Sequence, residues 1–146
     1  MMVGFHDVNP LVDDSLWQWR AHNGGSHMMM DWNEYRKQLT AGVKEVGQFS
    51  PDTIKGYLEL SSAGQKKDLL GPKIRELIAL AVAVTARCDG CITVHSEAAI
   101  RHGATKEEIA EALGVAVAVN AGAALVYSTR VMDAVKEYPS AASLHE

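Results

Sequence analysis

Both cysteines of this 146-residue chain fall within eight consecutive residues, Cys88-Asp89-Gly90-Cys91-Ile92-Thr93-Val94-His95, together with a histidine. If the stretch begins a helix, Cys88 and Cys91 lie one turn apart and Cys91 and His95 share a face, because residues three and four apart are neighbours on a helix. That arrangement suits dithiol chemistry. A bridge closing so short a loop removes little chain entropy, so stability is a poor reason for the pair. In a chain with no secretory signal, close-set cysteines point instead to catalysis or metal binding.

A thiol attacks as its thiolate, and an ordinary cysteine is mostly protonated at neutral pH. Two features here favour ionisation. The positive end of a helix starting at the motif acts on Cys88, whereas His95 acts on Cys91. The two cues name different nucleophiles. The histidine carries more weight, because a base can take the thiol proton and also return it to a leaving group. Cys91 is then the attacking sulfur and Cys88 the resolving one, closing a disulfide after the first step. Glu76 is the candidate to orient the imidazole, because a carboxylate among Leu77, Ile78 and Leu80 is costly to bury unpaired. The alternative places Glu76 on an exposed helix edge beside Lys73 and Arg75.

These side chains need helices to hold them. Asp31 can cap a helix running to about Val46, with Trp32, Tyr35, Leu39 and Val43 on one face and Gly47 closing it. Ser50-Pro51 opens a second helix, with Ile54, Tyr57, Leu58 and Leu60 on its apolar side. Gly71-Pro72 opens a third, apolar nearly all round from Ile74 to Val84, which predicts central burial. A strand is the alternative for this Val-rich run, but its pattern extends too far back for one. The dithiol stretch opens a fourth helix that stops at His102-Gly103. Thr105-Lys106-Glu107-Glu108 is a capping box and starts a fifth, interrupted near Asn120-Ala121-Gly122 and resuming to about Val135 as one kinked helix or two. Ala and Gly are abundant over 110–124, which lets helices or subunits approach closely. No alternating strand pattern is present, so the fold class is all-α.

Glu76, eleven residues, Cys88, two residues, Cys91, three residues and His95 together resemble the alkyl hydroperoxidase D-like group of the carboxymuconolactone decarboxylase family. The resemblance spans 54–136, including Ile74-Arg75-Glu76-Leu77 and the run from Thr105 to Leu113. It implies a fold of five to seven helices, assembly as a trimer or hexamer, and a thiol-based peroxidase or disulfide reductase activity. By position, it makes Cys91 the peroxidatic sulfur, Cys88 its resolving partner, His95 the proton relay and Glu76 its support. The partners implied are a small organic hydroperoxide or disulfide and an external dithiol reductant, with no bound cofactor. Asp89-Gly90 departs from the family's best-known pattern, which has a further histidine between the cysteines. A negative Asp89 beside the thiols opposes their ionisation. His102 could replace that histidine only by folding back, and it suits a helix C-terminus better.

The decarboxylase branch generally lacks the cysteine pair, so its activity is not expected. A rival reading makes Cys88, Cys91 and His95 zinc ligands, with Glu76 or water as the fourth. A third makes the chain a helical oligomer with vestigial cysteines.

Composition narrows the classes further. A chain of this length is about one domain, 47% of its residues are hydrophobic, and its net charge is -4. No dense Lys/Arg block is present to track a phosphate backbone, so nucleic acid is not an expected partner. The start lacks a basic region and apolar stretch, which predicts a cytoplasmic site. The longest apolar runs, 77–84 and 114–119, fall short of the roughly 20 residues a membrane span needs. Gly25-Ser26-His27-Met28 looks like an expression-vector remnant, so residues 1–28 read as a tag or leader and 29–146 as one helical domain.

Overall fold

The computed structural model describes residues 29–138; the expected leader, 1–28, lies outside the described residues. The chain divides into two compact units, Met1–Trp32 and Asn33–Glu146, and the second carries everything below. Among the described residues five α-helices follow one another: α1 (Trp32–Phe49), α2 (Pro51–Ala63), α3 (Gly71–Ala86), α4 (Asp89–Arg101) and α5 (Lys106–Ala134), with single 3-10 turns at Gly64–Lys66 and Val135–Glu137. Among the described residues there is no strand. The expected all-α class holds, and the Val-rich third segment is helical.

Two expectations at element ends change. Gly47 does not close α1, which runs on to Phe49. The missing side chain at Gly47 leaves room instead for Ile54 of α2, whose Cγ1 lies 3.4 Å from where a Cβ would sit. The interruption expected near Asn120 is absent, and α5 is one continuous helix of 29 residues. Asn120 is tolerated there because its Nδ2 donates to Ala116 O of its own helix and to Thr85 Oγ1 of α3, at 2.7 and 2.8 Å. The unbroken helix also overturns the expectation that nothing is long enough to span a bilayer. The helical stretch Lys106–Glu137 is long and apolar enough by length and composition.

α3 is the hub, packing on α4 and on α5. The buried core is small: Leu80 of α3, Ala99 of α4 and Ala104 form its centre, with Leu77 and Ile109 against it. Small residues let α3 and α4 approach closely, and the capping box at Thr105 starts α5 beside them. Thr105 Oγ1 accepts the Glu108 N–H at 3.2 Å, and Glu108 accepts the Thr105 N–H at 2.8 Å. Glu108 also takes Lys73 Nζ at 2.6 Å, tying the starts of α3 and α5 together. That ammonium, and after it the Thr105 N–H, hold the Glu108 carboxyl below its ordinary range. Central burial of α3 holds on one side only: Leu80 and Ala83 are buried, while Ile74, Ile78 and Val82 face outward.

Candidate active site

The site begins where α3 ends. Arg87 adopts the left-handed conformation, φ 54° and ψ 46°. Its N–H donates to Val84 O at 3.3 Å, and the Cys88 N–H donates to Ala83 O at 3.0 Å. Those two bonds form a Schellman closure, in which the residue after the left-handed one reaches back five positions. Cys88 then turns extended, φ -104° and ψ 95°, and becomes the N-cap of α4. Its Sγ accepts the Cys91 N–H at 3.1 Å. One residue therefore closes one helix and opens the next.

Cys88 and Cys91 are joined as a disulfide with their Cα atoms 5.2 Å apart, within the usual range for a bridge. Gly90 sits between them for a packing reason. Leu39 of α1 lies 3.3 Å from where a Cβ would stand, so a side chain there would displace it. Arg36 of the same helix makes an ion pair with Glu97 of α4 at 3.1 Å, and Glu97 also accepts from Arg101 at 2.5 Å. α1 is thus held against α4 by one apolar and one charged contact.

His95 lies one turn after Cys91, and its Nδ1 is 2.7 Å from Glu76 Oε2 of α3. The carboxylate is 18% exposed and the imidazole 34%, so the pair is sheltered but reachable. With Nδ1–H donated to Glu76, the other ring nitrogen, Nε2, carries the available lone pair. The exposed-edge alternative for Glu76 does not hold. Lys73 goes to Glu108 and Arg75 pairs with Asp68, which leaves Glu76 to the histidine. His102 ends α4 as its C-cap, its N–H bonded to Ala98 O, and does not join the site.

The four residues singled out from the sequence thus form two pairs at the α3–α4 junction, Cys88 with Cys91 and His95 with Glu76. Three participants were not anticipated: Arg87, Leu39 and Arg36. Among the described residues, no group of three or more His, Cys, Asp or Glu side chains is placed to hold a metal ion.

Residues 51–134 match the sequence profile of the carboxymuconolactone decarboxylase family. This chain belongs to that family. A protein of Haemophilus influenzae, named only as uncharacterised, is 44% identical over 107 residues, covering 73% of this chain and 95% of the relative. A Paracoccus denitrificans protein, named as uncharacterised protein 4 of the cox locus, is 32% identical over 104 residues, covering 71% and 94%. The crystal structure of an apo carboxymuconolactone decarboxylase family protein from Legionella pneumophila superposes with a TM-score of 0.58 at 34% identity, covering 73% of this chain and 96% of that one. The carboxymuconolactone decarboxylase match takes in α2 through α5, so it contains Glu76, Cys88, Cys91 and His95.

Proposed function

We propose that the protein is a thiol-dependent peroxidase or disulfide reductase of the alkyl hydroperoxidase D-like branch. One observation carries the reading: a vicinal cysteine pair at a helix start, one turn from an imidazole that a carboxylate orients at 2.7 Å. In the reduced enzyme, His95 Nε2 takes the proton of the Cys91 thiol while Glu76 holds the ring through Nδ1. The Cys91 thiolate attacks the terminal oxygen of an organic hydroperoxide. The O–O bond breaks, a sulfenic acid forms on Cys91, and the alkoxide leaves as alcohol with the proton from His95. Cys88 then attacks the Cys91 sulfur, forming the S–S bond and releasing water. An external dithiol restores both thiols and is itself oxidised to a disulfide. No resident cofactor enters the scheme.

Zinc binding is less favoured, because the two sulfurs serve each other rather than a shared ion. The chain also works as a homo-oligomer in this reading, a trimer or hexamer in the cytoplasm. Leu125 and Val126 of α5 are 74% and 70% exposed, and Val131 and Met132 are exposed beside them. An apolar face of that extent belongs to an interface rather than to water.

The deciding experiment treats the reduced protein with a small alkyl hydroperoxide and reads intact mass. Loss of two hydrogens with one equivalent of alcohol, reversed by dithiothreitol, is the expected result. Stoichiometric zinc in tag-free protein, or slow and equal alkylation of both thiols near neutral pH, would overturn it.

A further inference from the structure

We propose that Arg87 is a positioning residue whose left-handed backbone, and not its charge, fixes Cys88 as the leaving sulfur when the disulfide is reduced. The inference rests on the redox reading above and adds a direction to it. A non-glycine residue pays for a left-handed conformation, and a β-branched one pays most. Arg87 does so where only two residues separate α3 from α4. The reversal bonds the Cys88 N–H to Ala83 O and leaves Cys88 at the N-cap of α4, with the Cys91 N–H aimed at its sulfur.

That N–H and the helix end beyond it meet a neutral sulfur in the disulfide and a charged one in the ionised dithiol. They stabilise the second more. A thiol that ionises readily is also the better leaving group. An incoming thiolate of the external dithiol therefore attacks Cys91 Sγ. The Cys88–Cys91 bond breaks, and its electron pair departs on Cys88 Sγ, into the N-cap. The second thiolate of the reductant then attacks the mixed disulfide at the reductant's own sulfur. Its ring closes as a disulfide, and Cys91 is released as thiolate.

The test is the thiol–disulfide equilibrium with dithiothreitol, which uses no peroxide and so stands apart from any failure of turnover. R87G and R87N lose the guanidinium but adopt the left-handed conformation readily, so they should match the parent. R87V should shift the equilibrium toward disulfide about tenfold, ~30 mV more negative. R87T reads the same quantity if R87V loses its helical circular dichroism. A shift in R87G equal to that in R87V would assign the effect to charge and overturn the proposal, as would four variants that all match the parent. The parent supplies an independent reading. With alkylation followed against pH, Cys88 should show the lower midpoint even though Cys91 reacts faster once ionised, and the reverse order of midpoints would end the proposal.

Discussion

The α3–α4 junction and the distal half of α5 are opposite uses of helix. At the junction, backbone bonds three and five positions apart close α3 and set Cys88 at the start of α4, and one cross-helix bond, nineteen positions apart, joins His95 to Glu76. Over 121–134 the helix carries almost no tertiary contact, and its large apolar side chains are open to solvent. The contacts of the first region all lie within this chain. The second makes physical sense only when covered. The proposed chemistry and the proposed assembly therefore fall on separate parts of the chain, and substitutions can address one without the other.

The largest effect should come from breaking the junction chemically. Cys91→Ser is expected to abolish hydroperoxide turnover while circular dichroism stays helical; turnover above background would remove Cys91 from the peroxidatic role. On the other side of the comparison, Leu125→Asp should dissociate the proposed oligomer, checked by light scattering after size exclusion. An unchanged mass would mean that the distal face is not the interface. His95→Ala should slow turnover and move the pH dependence of Cys91 alkylation upward, whereas Glu76→Gln should do the same to a lesser degree. If neither profile moves, the relay is not engaged.

Two smaller effects sharpen the picture of the scaffold. Thr93 is 2% exposed on α4, and its hydroxyl has no hydrogen-bond partner. Thr93→Val should therefore raise stability by about 1 kcal/mol in urea titration, since it removes an unsatisfied buried group at nearly constant shape. Glu108→Gln should lower the melting temperature modestly at neutral pH. The Glu108 carboxyl is held below its ordinary 4.5, so its stabilisation is present above that pH and fades as pH falls through the folded value. The gap between variant and parent should close in acid, and a gap that persists there would point to packing rather than charge.

Much of this was legible in the sequence because it is local. The Thr105–Glu108 capping box, the stop at Gly103 and the cysteine spacing each depend on residues within one turn, and each appears as expected. Glu76 was recognisable as a candidate but not as settled. Nothing in the residue spacing says how α3 and α4 cross, and the crossing decides whether its carboxylate meets the imidazole or water. Pairs between separate helices, such as Lys73 with Glu108 and Asn120 with Thr85, leave no local signature. The continuity of α5 was hidden for that reason, since Asn120 reads as a breaker until its partner on α3 is known.

Cys88 terminates one helix and initiates the next with no connecting residues to spare. Inserting or deleting a single amino acid here would rotate α4 by about 100°, carrying His95 out of register with Glu76. Length variation should therefore be absorbed elsewhere, as between α2 and α3, while this corner admits substitutions but no change in spacing.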